Sequence, residues 1–93
     1  MIYLGFVIFD LVLIILMYLY IYTLRGTLYE GECFSLTAPA ETGEITILPN
    51  HIPLITALKV GTLRYTNSQE QKEIALQDGF LYTDGKKTVI LVR

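Results

Sequence analysis

From residue 43 onward, apolar and polar side chains alternate in short blocks, whereas the residues up to Leu24 are apolar almost without a break. In residues 43–48, Glu44, Thr46 and Leu48 fall on one side and Ile45 and Ile47 on the other, the period of two of a half-buried strand. Pro49-Asn50 stops this strand, because proline cannot donate to a ladder and asparagine tolerates positive φ. His51-Ile52-Pro53 then holds the chain extended, since a residue before proline avoids the helical region. Residues 54–58 resume an apolar run. Upstream, Glu30-Gly31-Glu32 reads as a turn, residues 33–37 as a strand with Cys33 or Phe34 facing in, and residues 38–43 as a loop. Downstream, Val60-Gly61 turns into a strand over 62–66, and 67–70 is a polar hairpin loop. Residues 72–77 alternate, and Asp78-Gly79 turns into 80–83. Asp84-Gly85, the strongest hairpin signal in the chain, leads to a closing strand over 86–92. Short strands with regular turn signals predict an all-β fold, a flattened β-sandwich or barrel of about 8–10 strands.

The apolar start admits two readings. Residues 1–22 contain one charge, Asp10. As a helix at ~1.5 Å per residue they reach ~33 Å, enough to cross a bilayer. The ~3 kcal/mol cost of a central Asp is offset by the surrounding Ile, Leu, Val and Phe. Tyr18, Tyr20 and Tyr22 suit a membrane interface, and Arg25 favours that end as cytoplasmic. The same tyrosines alternate with Leu19, Ile21 and Thr23, which is strand spacing over 18–24. Met17 stands directly before that strand, so the second reading starts translation at Met17 and makes residues 1–16 an upstream read-through. The expected organisation is an apolar, transmembrane-like segment over 1–18 and a β-sandwich over 19–93.

The chain has 93 residues, room for one small domain. Hydrophobic residues make up 53%, an excess explained by the first segment, and charged residues 17%. Net charge is −2 with no basic run, which argues against nucleic acid as a partner. A single cysteine excludes an internal disulfide and a cysteine-built zinc site.

Around the proline-flanked histidine, G-E-I-T-I-L-P-N-H-I-P-L-I-T-A-L-K-V-G-T-L-R resembles the N-terminal β-sandwich of the ATP synthase epsilon subunit family. Gly43, Glu44, Leu48, Pro49, His51, Pro53, Leu54, Thr56, Leu58, Gly61 and Arg64 match that family's pattern. Asp78-Gly79-Phe80-Leu81, residues 88–91 and residues 28–32 are similar to its other strands. Thr46 and Asn50 stand where the family usually has glycine. The family's second half, a helical hairpin, has no counterpart before Arg93, so the expectation is a short form without ATP binding or hairpin-based inhibition. The resemblance implies a non-catalytic central-stalk subunit of a rotary ATP synthase. Its partners would be the gamma subunit and the membrane rotor ring, at the cytoplasmic face of an energy-transducing membrane. By position, it implies that Glu44 and the loop of Pro49, Asn50, His51, Ile52, Pro53 and Leu54 approach the rotor ring.

Read for chemistry, the sequence offers little. His51 as a base or metal ligand lacks partners at suitable spacing; the competing readings are a turn-bonding or a partner-facing histidine. Cys33 on a strand reads as a small buried hydrophobe. Glu41 and Glu44 read as a solvated loop edge. The expectation is no catalytic residue, no cofactor, no metal and no small-molecule substrate. The alternative function is a membrane-anchored β-sandwich that binds an unrelated protein, and it requires the apolar segment to be real.

Overall fold

A computed structural model describes residues 16–93. They form nine strands: β1 Met17–Thr23, β2 Gly26–Cys33, β3 Ser35–Ala40, β4 Gly43–Ile47, β5 Leu54–Leu58, β6 Gly61–Thr66, β7 Gln71–Leu76, β8 Gly79–Thr83 and β9 Lys87–Val92. The order is β2-β1-β9-β8-β5-β3-β6-β7, with β4 on β3. All pairings are antiparallel except β1 with β9. The link between β3 and β5 is the single pair Ala40–Leu58. The sheet therefore curls there into two layers, β2-β1-β9-β8-β5 over β4-β3-β6-β7. Leu19, Ile21, Leu81 and Ile90 from the first layer meet Leu36, Ile47, Leu63 and Tyr65 from the second in one closed core.

The all-β expectation holds, and the period-two reading of residues 43–48 holds with it, since Ile47 is buried while Glu44 and Thr46 are exposed. Glu30-Gly31-Glu32, read as a turn, lies inside β2, where Glu30 and Glu32 point outward from a sheet edge and Gly31 faces Leu19. Charged residues on an edge strand are ordinary, because they discourage pairing with another chain. Residues 38–40, read as loop, are the end of β3. Pro39 sits where β3 leaves β6, after Thr37–Arg64, and meets β5, at Ala40–Leu58. Its carbonyl accepts the Lys59 N–H at 2.8 Å. The break between β2 and β3 falls at Phe34, so Cys33 ends β2 and does not begin the next strand. Residues 17–22 are strand, which overturns the helical reading for that part; Met17, Leu19 and Ile21 are buried, and the tyrosines face out. The rest of the proposed helix, residues 1–15, lies outside the described residues.

Two hairpins are built as their side chains dictate. Asp84 Oδ1 accepts the N–H groups of Lys86 and Lys87 at 2.9 Å each, and Gly85 takes φ +93°, a left-handed conformation open to glycine. Asn67 Oδ1 accepts from Gln69 and Glu70 in the same way.

Candidate docking surface

Register determines what each face of the sandwich offers. On the outside of the first layer, Tyr20 lies beside Val89, Val89 beside Tyr82, and Tyr82 beside Ile55. One step along the strands, Tyr22, Leu91, Phe80 and Ala57 form a second row. Neither row contains a charge. Ile55 is 73% exposed, Phe80 61% and Leu91 52%. Tyr20 and Tyr22 stack with ring centroids 6.2 Å apart. At ~4.8 Å between strands, each row runs ~14 Å across β1, β9, β8 and β5. Beyond Tyr20 the surface turns acidic at Glu30. Below the second row, a cleft of about 490 Å³ opens between Leu24, Phe80 and Leu91, rimmed by Glu41 and the Asp78–Arg93 ion pair (2.7 Å). The Arg93 guanidinium holds the Asp78 carboxyl below its ordinary value.

The opposite outer face is different in kind. There the row across β4, β3, β6 and β7 is Thr46, Thr37, Arg64 and Glu73. The threonine hydroxyls are 3.3 Å apart, and Arg64 reaches Glu44 at 3.5 Å. One face is wetted by design of its side chains and the other is not. Contiguous exposed apolar surface rimmed by charge marks an interaction site.

The loop after β4 is a second feature. His51 N–H donates to the Leu48 carbonyl at 3.0 Å, closing a turn with Pro49 and Asn50 at its centre. Asn50 has φ +69°, so the turn has the type II pattern of proline followed by a left-handed residue. Asn50 N–H donates to the Gly85 carbonyl at 2.7 Å, which ties the loop to the β8–β9 hairpin. Ile52 and Pro53 stand out into solvent.

The β-sandwich domain of the ATP synthase delta/epsilon chain matches residues 16–93 as a family. The chain belongs to that family. An ATP synthase epsilon chain of Dichelobacter nodosus is 44% identical over 77% of this chain and 51% of its own length. One from Carboxydothermus hydrogenoformans is 52% identical over 60% of this chain and 42% of its own. The chain thus spans about half the length of the curated relatives it matches. Among solved structures, a chain of the Tetrahymena thermophila mitochondrial ATP synthase central stalk and c-ring superposes with TM-score 0.67 at 14% identity, covering 82% of this chain and 62% of that one. One from the Euglena gracilis mitochondrial ATP synthase gives 0.78 at 15%, covering 84% and 51%. At such identities the likeness is one of fold.

Within this family fold, the residues expected to act together are split. Glu44 opens β4 and the loop of Pro49, Asn50, His51, Ile52, Pro53 and Leu54 follows its far end, ~15 Å away at ~3.3 Å per residue. Glu44 is exposed beside Arg64. His51 Nδ1 lies 2.6 Å from the Ile52 carbonyl, the hydrogen bond of a histidine that braces its own loop. Among the described residues no group of three or more His, Cys, Asp or Glu could hold a metal ion. Asn50, in a glycine position of the family pattern, adopts the positive φ that position requires. Thr46, in the other, stands on the polar outer face with room for its branch. Cys33 is buried, its thiol donating to the Ser35 carbonyl at 3.0 Å, and burial pushes it up to about 11. That is the setting of an inert thiol rather than a nucleophile.

Sequence reasoning did not find the apolar rows. Their signal was present in β8 and β9, where Phe80-Leu81-Tyr82 and Val89-Ile90-Leu91-Val92 run apolar without alternation. Such runs in a strand mean that both faces are covered.

Proposed function

We propose that this chain is the β-sandwich of a central-stalk subunit of a rotary ATP synthase, coupling the membrane rotor ring to the catalytic head through the gamma subunit and doing no catalysis itself. The observation that carries this reading is the pair of uncharged rows from Tyr20 to Ile55 and Tyr22 to Ala57, facing outward on a sandwich whose other face is polar. A stalk subunit must be a rigid body with one apolar side given to a permanent neighbour. Membership of the delta/epsilon family makes gamma the fitting neighbour for that side.

Glu44 and the loop of Pro49, Asn50, His51, Ile52, Pro53 and Leu54 serve the rotor-ring side as two contacts rather than one, because they stand at opposite ends of β4. The turn at Pro49 and Asn50 and its bond to Gly85 hold the loop in place beforehand, so docking orders little chain. In this reading the chain takes no cofactor, metal, nucleic acid or small-molecule substrate. It sits peripherally on the cytoplasmic face of an energy-transducing membrane.

Affinity purification of the full chain from its native membranes, followed by mass spectrometry, tests the reading. Gamma and rotor-ring subunits are expected with it. Recovery without either, or with unrelated membrane proteins alone, would overturn it.

A further inference from the structure

The end of the sandwich at the β1–β2 hairpin carries two clefts that the apolar rows do not explain. The first, of about 490 Å³, lies where β8 begins. Leu58, Gly79 and Val92 are partners across β5, β8 and β9 there. Gly79 brings no side chain, and a Cβ at this position would run into the Leu91 carbonyl. The space between two buried apolar neighbours therefore stays open. The second cleft, of about 410 Å³, lies between Leu24 and Leu28 at the hairpin tip. Leu24 and Arg93 line both clefts, so the two meet there. Leu24 is 92% exposed, and the tip that carries it is braced: Thr23 Oγ1 accepts the Arg25 N–H at 3.0 Å and donates to the Gly26 carbonyl at 3.2 Å. A leucine held outward on a braced tip, with an apolar hollow on each side, has the shape of a preorganised docking knob.

The charges at the two mouths differ. Asp78 and Arg93, between the clefts, neutralise each other through hydrogen bonds of 3.2 and 2.7 Å. Glu41 rims the first cleft and Arg25 the second; both are exposed and, among the described residues, neither has an ion pair. From β5 to β2 the clefts cross four strand spacings, ~19 Å at ~4.8 Å each. The groove thus has an acidic end, an apolar middle with a knob, and a basic end. The second apolar row runs into it through Phe80 and Leu91, so the neighbour that covers the row reaches the groove. This chain's own residues 1–15 carry no basic side chain to meet Glu41.

Resting on the stalk reading for the identity of that neighbour, we propose that the neighbour lays one directed segment in this groove. The segment is basic at the end that meets Glu41, apolar where it closes around Leu24, and acidic at the end that meets Arg25. Leu24 anchors it, and the two charges fix its direction and register.

The test is isothermal titration calorimetry of the purified full chain, in detergent, with purified gamma subunit. Wild type should bind. Leu24→Asp should weaken binding at least about thirtyfold, as the loss of a central anchor does. Glu41→Lys and Arg25→Glu should each weaken it about tenfold at low salt and less than about twofold at about 1 M salt, where screening sets in beyond ~3 Å, while the Leu24→Asp loss persists. All three side chains are exposed, so their urea unfolding midpoints should match wild type. Gamma binding that none of the three variants changes leaves the stalk reading standing and overturns the groove. No binding by wild type overturns both. Self-association lost in Leu24→Asp, with gamma binding indifferent to it, gives the groove to a second copy and overturns the proposal. Equal losses for the two charge variants at low and high salt overturn the directed contact.

Discussion

Gly85 lies against the carbonyl of His51 so closely that a Cβ at this position would come within 2.6 Å of that oxygen. Two separate demands meet here, since φ is +93° and the neighbour is backbone that cannot swing aside. Gly85→Ala should therefore destabilise the domain by about 2–3 kcal/mol, from the strained φ together with displacement of the loop. The displaced loop loses the Asn50–Gly85 bond, so exchange of the Asn50 amide should accelerate more than that of amides in β6 or β7. Urea unfolding and amide hydrogen exchange read the two effects.

The apolar rows predict a separation of binding from stability. Phe80→Asp with Leu91→Lys changes side chains that face solvent in the isolated domain and sets opposite charges at a directly paired position, so unfolding stability should change by no more than ~0.5 kcal/mol per site. The same pair of charges, buried against a protein neighbour, should abolish recovery of gamma from native membranes. Thr46→Asp on the polar face should leave recovery intact. Loss of binding by Thr46→Asp with none by the pair would place the docking side on the other face.

Much of this was legible from the sequence. Strong local chemistry, such as Asp84-Gly85, Asn67 or Pro49-Asn50, marked turns that the backbone makes. The alternation of Ile45 and Ile47 against Glu44 and Thr46 gave the correct faces of β4. What failed was non-local. Pro39 looked like loop because nothing in the sequence says that β3 changes neighbour beside it. Glu30-Gly31-Glu32 looked like a turn because edge strands carry charges that a central strand would not. Motif matching also says nothing of distance: Ile45, Thr46, Ile47 and Leu48, mostly extended strand, lie between Glu44 and the loop of residues 49–54.

Thr83 and Thr88 form a buried hydroxyl pair, 2.9 Å apart, under the β8–β9 hairpin. Their roles differ. Thr83 Oγ1 accepts from Thr88 and from Gly85 N–H and donates to the Lys87 carbonyl, whereas Thr88 only donates, to Thr83 or at 3.5 Å to Met17 Sδ. Thr88→Val should cost about 1 kcal/mol, because the Thr83 oxygen keeps its other partners. Thr83→Val should cost about 2–3 kcal/mol, because it strands the Gly85 N–H and leaves the Thr88 hydroxyl only the weakly accepting Met17 sulfur. The double variant should cost less than the sum, and a double-mutant cycle by urea unfolding measures the difference.

Cys33 should make the domain alkali-sensitive in a defined window. Burial raises the folded thiol to about 11 from its ordinary 9.0, so between these values the unfolded chain gives up the proton while the folded chain keeps it. The unfolded state then binds fewer protons, and stability falls as pH rises, by roughly 2 kcal/mol across the window, with no further loss from this group above it. Tyr65, also raised by burial, acts in the same direction from its ordinary 10.0 upward, so the wild-type profile alone does not isolate the thiol. Cys33→Ala does. Its stability should be lower than wild type at pH 7, from the lost packing of a buried side chain, and the gap should narrow as pH climbs from 9 to 11. Parallel profiles for the two proteins in urea unfolding would mean that the buried thiol does not govern the alkaline limb.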